Sequence, residues 1–316
     1  MTSAEPGASD YLPRLRAATL SPRHWIAWLG VGLLWVLTWM PWPVRAAVAL
    51  PLGELDYRLS RKRRGIADVN LVMCFPHLSQ EQRRNMLRRH FHCRMRSALD
   101  YGVLWWGSAR RIRRVVRVRG DQHFRKYHEK GRPVILLTAH SLGLDFGAAV
   151  LTTRVPGVGL VKRARNPVAD WLIQRGRTRF NARLVLREIG LRPVVRAVRR
   201  GWFFYYLPDE DMGGRGTTVF APFFGQPAAT LTALGRLAQM CDAVVVPTYT
   251  YYVPGTGRYE HRMFPALEDF PTGDAERDAR RMNQELEKLI GLAPEQYMWT
   301  MRLFKTRPPG ESTVYE

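Results

Sequence analysis

Along the chain, short apolar runs alternate with stretches in which apolar positions recur every three or four residues. The run Val134-Ile-Leu-Leu-Thr138 reads as a strand, and the pattern after it predicts a helix over about 142–151. A strand near Gly159-Leu-Val161 and a helix from Pro167 to about Phe180 follow, with Pro at the favoured first helical position. A helix over about 193–200 precedes the strand Trp202–Leu207. A Gly-rich loop covers 212–217, a helix spans about 231–240, and Ala243–Tyr252 is again strand. The last long helix, about 275–289, carries acids early and apolar residues at helical spacing. This alternation predicts an α/β fold, with a central, largely parallel or mixed sheet flanked by helices. No repeat, low-complexity tract or interdomain linker interrupts it.

Two helices stand apart from this pattern. Leu78-Ser-Gln-Glu-Gln82 has capping-box spacing, with Ser79 as N-cap and Gln82 at the third helical position. The basic and apolar helix it opens runs towards Tyr101–Trp106. It suits a lipid headgroup zone, and equally a solvated face. Nearer the N-terminus, Trp25–Met40 carries no charge, and none appears until Arg45. Its sixteen residues would extend about 24 Å as a helix, against a hydrocarbon core of about 30 Å. Trp25, Trp28, Trp39 and Trp42 suit an interfacial belt, and no small-residue cleavage site makes it a signal peptide. The expectation is a membrane anchor at about 25–44 within an N-terminal segment 1–46, followed by a main domain, 47–316. Whether the anchor spans or dips stays open. The cluster Arg61-Lys-Arg-Arg64 places the main domain against anionic headgroups on the cytoplasmic side.

Charge narrows the partners. Lys and Arg number 49 against 27 Asp and Glu, a formal net charge of +22, which asks for an anionic partner. A hydrophobic content of 46% excludes a disordered chain. The three cysteines form no CxxC pair, which speaks against a disulfide framework or a structural zinc site. His90, His92 and Cys93 would point apart on a helix, so no metal is expected there. No GxSxG elbow, GxGxxG loop or P-loop is present, which disfavours serine-hydrolase, dinucleotide and nucleotide-triphosphate chemistry.

The candidate chemistry lies where the strand 134–138 ends, in Ala139-His140-Ser-Leu-Gly-Leu-Asp145. Ligands of open α/β sheets gather at such carboxyl ends. If His140 sits on the loop and Asp145 in the first turn of the helix, the carboxylate accepts from one ring nitrogen and the other takes a proton. That is a base without its own nucleophile, suited to activating a substrate hydroxyl. The same residues also fit a plain helix start, with Asp145 supporting the dipole. Asp209-Glu-Asp211 is another acidic group at a strand end, and the arginines at 175, 177 and 179 could grip a phosphate or be solvated.

The chain resembles the late acyltransferases of lipid A biosynthesis. The resemblance starts at Asn70-Leu-Val-Met-Cys-Phe-Pro76, takes in His140-x4-Asp145, and continues through Asn166-Pro167 and Arg175-Gly-Arg177. It resumes at Tyr206-Leu-Pro-Asp209, Phe220–Gly225 with Ala228-Ala-Thr230, Ala293–Trp299 and Phe304–Glu311. It implies a membrane-bound enzyme with a glycerolipid-acyltransferase-like fold on the cytoplasmic face of the bacterial inner membrane. The enzyme would move an acyl chain from acyl carrier protein or acyl-CoA to a hydroxyl of a 3-hydroxyacyl chain on a lipid A precursor. His140 and Asp145 inherit the catalytic pair, Arg177 and Asp209 the functional arginine and later aspartate, and Lys162 and Asn166 substrate or support positions. Asp209 is expected to organise Arg177 or a neighbouring cation. No metal, no cofactor beyond the acyl thioester, and no nucleic-acid partner are implied. Asp145 stands where these enzymes commonly have Glu, and Lys162 where they often have Arg. Another glycolipid, phospholipid or aminolipid acceptor is therefore the alternative.

Overall fold

The computed structural model describes residues 10–12, 14–213 and 216–315. The start of the expected N-terminal segment (1–9), with Pro13, lies outside them, as do Gly214 and Arg215 of the Gly-rich loop. The first part of the chain is helical: α1 (Trp25–Trp39), α2 (Trp42–Leu59), α3 (Arg61–Cys74), α4 (Gln80–Trp106) and α5 (Ala109–Val115). Next come β1 (Val116–Arg119), α6 (Gln122–His128), β2 (Val134–Leu137), α7 (Leu144–Thr152), β3 (Gly157–Val161), α8 (Pro167–Arg177) and β4 (Ala182–Leu186). The chain continues with α9 (Arg192–Arg199), β5 (Phe203–Tyr206), β6 (Thr218–Phe223), β7 (Gln226–Leu231), α10 (Ala233–Cys241), β8 (Val244–Val253), β9 (Arg258–Met263) and α11 (Ala275–Ile290).

Among the described residues, seven strands form one mixed sheet in the order β1-β9-β8-β2-β5-β3-β4, in which only β8 and β9 pair antiparallel. Its central strands are apolar on both faces, as expected where helices cover both. Ile135, Leu137, Phe204 and Tyr206 enter one core layer with α3, α9, α10 and α11. Val134, Leu136, Phe203 and Tyr205 enter the other with α5, α6 and α7. β2 and β5 are adjacent and parallel, with Leu137 opposite Tyr206. Their carboxyl ends therefore open at the same level.

The capping box forms as the sequence predicts: the Gln82 N–H donates to Ser79 Oγ at 3.2 Å, and the Ser79 N–H to Gln82 Oε1 at 2.7 Å. β6 and β7 pair outside the main sheet through the two-residue turn Phe224–Gly225, with φ of 49° and 75°. Two successive positive φ angles suit the right-handed twist of a hairpin.

The expected anchor needs correction. The uncharged stretch does not form one element over 25–44. It breaks at Met40-Pro41 because Pro41 is extended, and α2 starts at Trp42 and crosses residue 46. Fifteen residues of α1 extend about 22 Å, and no helix among the described residues is long and apolar enough to cross a membrane. α1 instead lies against α4. A Cβ on Gly102 would fall 1.8 Å from Thr38 Oγ1, so the glycine is what allows the approach. Its outer face stays uncovered: Ile26, Leu29 and Leu33 are 85%, 73% and 63% exposed.

Candidate active site

Beyond β2 the chain is held in an extended loop by the C-terminal segment. The Leu142 N–H donates to Gln296 O at 2.8 Å, and the Met298 N–H to His140 O at 2.9 Å. His140 and Asp209 each lie three residues past the paired positions Leu137 and Tyr206, which is why they meet. One Asp209 oxygen accepts from the His140 backbone N–H at 2.7 Å, and the other pairs with ring Nδ1 at 2.7 Å. The Asp209 side chain is fully buried. A carboxylate on Nδ1 places the proton there and leaves Nε2 with its lone pair. No described residue hydrogen-bonds Nε2.

The electrostatics follow from burial and contact. Burial opposes the imidazolium, but the Asp209 carboxylate outweighs it and raises the His140 pKa above its ordinary value. Burial likewise pushes Asp209 up, and the adjoining imidazole and backbone N–H bring it below the ordinary aspartate value.

Asp145 has other partners. It occupies the first turn of α7, and Arg177 at the end of α8 grips it with a two-pronged contact, Nε to Oδ1 and Nη2 to Oδ2, both at 3.0 Å. Tyr101 of α4 donates its hydroxyl to Oδ2 at 2.8 Å. Burial lowers the guanidinium pKa, but the contact with Asp145 prevails and raises it, so Arg177 stays charged. Burial, and then Asp145, keep the Tyr101 phenol well above its ordinary value and protonated.

One expectation is thereby corrected and another decided. The His140–Asp145 pair does not form, because the imidazole faces β5 across the sheet while Asp145 is drawn to α8. Of the two alternatives for Asp209, Arg177 is not its partner; the neighbouring cation is His140, whose imidazolium Asp209 favours. A further signal lay in the parallel offsets of His140 and Asp209 from their strands, but using it requires knowing that β2 and β5 are neighbours. Tyr101 gave no sequence signal of its own.

His140 of the first pair and both Asp145 and Arg177 of the second border one cavity of about 570 Å³, within the range of small-molecule sites. His140, Asp145, Arg177 and Lys162 line it. Behind them it is walled mainly by apolar side chains and glycines, among them Leu144, Ala148, Gly157, Gly159, Leu184 and Phe203. Lys162 is exposed at its edge. Asn166 is not in the lining. Its Oδ1 accepts from the Val168 and Ala169 N–H groups at 2.9 and 3.2 Å, capping α8. Asn70, which opens the first string of the resemblance, is also structural: its Nδ2 donates to Trp299 O and Met301 O at 2.6 and 2.7 Å. Asp211 ties down the last string by accepting from the Thr306 N–H at 2.6 Å and hydroxyl at 2.8 Å. No group of three or more ligand-type side chains suited to a metal occurs among the described residues.

Residues 13–306 match the model of the bacterial lipid A biosynthesis acyltransferases. The chain is 37% identical over 305 residues to the lipid A biosynthesis lauroyltransferase of Escherichia coli, covering 96% of this chain and 99% of that one. It is 33% identical over 309 residues to the lipid A biosynthesis myristoyltransferase of E. coli (98% and 95% covered). To the palmitoleoyltransferase of that organism it is 32% identical over 297 residues (94% and 96%). A fainter likeness is to the solved 1-acyl-sn-glycerophosphate acyltransferase PlsC of Thermotoga maritima. It shows 14% identity over 79% of this chain and 98% of that one, and a TM-score of 0.37, too distant to carry an argument. Near-complete coverage by both the family and its individual relatives leaves one assignment: the chain belongs to the bacterial lipid A biosynthesis acyltransferases, enzymes of acyl transfer onto lipid A.

Proposed function

We propose that the protein transfers a fatty acyl chain from acyl carrier protein to the hydroxyl of a 3-hydroxyacyl chain on a lipid A precursor, with His140 as general base and Asp209 as its orienting carboxylate. The observation that carries this reading is the His140 ring, held at Nδ1 by buried Asp209, with no described residue on Nε2, lining the cavity that Asp145 and Arg177 also line. Nε2 takes the proton of the acceptor hydroxyl as its oxygen attacks the thioester carbonyl. The tetrahedral oxyanion collapses, the carbon–sulfur bond breaks, and the proton returns from Nε2 to the departing thiolate. Atoms balance without a cofactor. Arg177 contributes charge at the oxyanion: Asp145 engages Nε and Nη2, and no described residue takes Nη1. Asp145 and Tyr101 are positioning residues in this scheme. Acyl-CoA is the other donor to be compared.

In this reading the chain from α2 onward forms the catalytic part, and α1 is the element that meets the membrane. We assign the protein to the cytoplasmic face of the inner membrane, lying in the interface on the uncharged outer face of α1. The support is that face, the net charge of +22 and the bilayer-bound acceptor. The test incubates the protein with lauroyl- or myristoyl-acyl carrier protein, or the matching acyl-CoA, and tetra-acylated lipid A precursor, and reads products by mass. The reading requires a gain of one acyl chain that falls by about 10²-fold or more in His140→Ala. Gain only on a phospholipid or aminolipid would move the acceptor; an equal gain in the variant would remove His140 from the mechanism.

A further inference from the structure

Beside the cavity, α9 and α10 leave between them a second, more open groove of about 730 Å³. Its floor is apolar, built from Leu191, Leu237 and Met240, and Met240 is 53% exposed. Arg199 fixes its shape by donating from Nε and Nη2 to Met240 O at 3.0 and 2.5 Å. Arg192, Arg196 and Arg236 stand around it, all exposed, and among the described residues no acidic one lines it. Arg236 donates to Thr217 Oγ1 at 3.3 Å. None of the three forms an ion pair with a carboxylate among the described residues. Leu191, Ala233 and Arg236 line both the groove and the catalytic cavity, so the two spaces are contiguous.

We propose that this groove is the docking surface for the acidic acyl carrier protein, an inference that rests on the reaction proposed above. Three neighbouring guanidinium groups without counter-charges repel one another and gain most from a partner that brings several carboxylates. An apolar strip between them accepts the hydrophobic side of an amphipathic acidic helix. Contiguity with the cavity gives the thioester on the carrier's flexible arm a covered route to His140. The groove also lies away from the apolar helix: α1 packs on α4 and α8, whereas α9 and α10 pack on each other and on β3, β5 and α11. It thus suits a partner arriving from water while the acceptor stays in the bilayer.

The test uses the full chain and the double variant R192E/R196E, neither residue lying in the cavity. Binding of acyl carrier protein is measured without turnover, and transfer is measured separately from the carrier and from acyl-pantetheine, a thioester lacking the protein. The proposal requires carrier binding to weaken by at least about tenfold in the variant and to weaken with salt in the wild type, with transfer from acyl-pantetheine within about twofold of wild type. The milder R192Q/R196Q, with its thermal midpoint, gives the same direction if charge reversal impairs folding. Equal carrier binding in wild type and variants, no binding by the wild type, or equal loss with both donors would overturn the proposal. Carrier binding that depends on these arginines, without acyl transfer by the wild type, would support the docking surface and reject the proposed reaction instead.

Discussion

At the His140 ring two opposing effects meet. Burial disfavours the imidazolium, and the Asp209 carboxylate at 2.7 Å favours it more strongly. The stability consequence has two edges. His140, raised, contributes fully below its ordinary value of 6.5, and that contribution is lost as pH rises through the raised value. Asp209, lowered, contributes fully above its ordinary value of 3.8, and that contribution is lost as pH falls through the lowered value. The pair is therefore at full strength between 3.8 and 6.5. Unfolding measured against pH should show this plateau in the wild type and lose its contribution in Asp209→Asn; an unchanged profile would mean the pair is not coupled to folding. At Asp145 the expectation is sharper. Its side chain is 9% exposed, and Arg177→Ala strands it, at a cost of about 3–5 kcal/mol by chemical denaturation. Arg177→Lys keeps the charge but not the fork, and should recover only part of that loss. The residues of this site could be read from the sequence, but their pairing could not. His140 and Asp145 are five positions apart in the chain, yet hydrogen-bond geometry is decided by which strands lie side by side.

Elements with a strong internal pattern were legible: α4 through its capping box, β2 and β5 through unbroken apolar runs, and α11 through early acids and helical spacing. Those whose pattern is diluted were not. α2 carries Pro51 within it, which reads as a break. β1, Val-Arg-Val-Arg, and β9, Arg-Tyr-Glu-His-Arg-Met, lie towards the antiparallel edge of the sheet, where polar alternation replaces apolar continuity. Which residues bound the apolar part of the cavity was likewise hidden. Phe203 lines it, and Trp202, Phe223 and Phe224 do not. Its β3 wall includes Gly159, where an added Cβ meets only Leu184 Cδ2, at 3.9 Å. A larger side chain there projects into usable space rather than into packed core. Gly159→Leu should shift the transferred chain to shorter lengths while leaving the thermal midpoint nearly unchanged, each methylene being worth about 1–3 kcal/mol of discrimination. A product distribution identical to wild type would place the acyl chain elsewhere in the cavity.

For the whole molecule, the anionic partners suggested by a net charge of +22 divide by surface. In the proposed reading, α1 offers an uncharged apolar face to the bilayer, and the α9–α10 groove offers arginines to the carrier. Composition revealed the charge but not this separation, since arginines distant in sequence converge only once the helices pack. Binding to vesicles containing anionic lipid should fall roughly tenfold or more for each of Ile26→Ser and Leu29→Ser. Unchanged binding would shift the contact to the basic surface alone. The proposed acyl transfer depends on His140 acting through Asp209. The most direct measurement is the pH dependence of kcat/KM for wild type, Asp209→Asn and Asp145→Asn in parallel. In the wild type the acid limb should lie above pH 6.5, where the raised His140 becomes neutral. Asp209→Asn should lower the plateau and move the limb to lower pH, since the main counterweight to burial is then gone, while Asp145→Asn should leave the limb where it is. A limb that moves with Asp145 and ignores Asp209 would contradict the account.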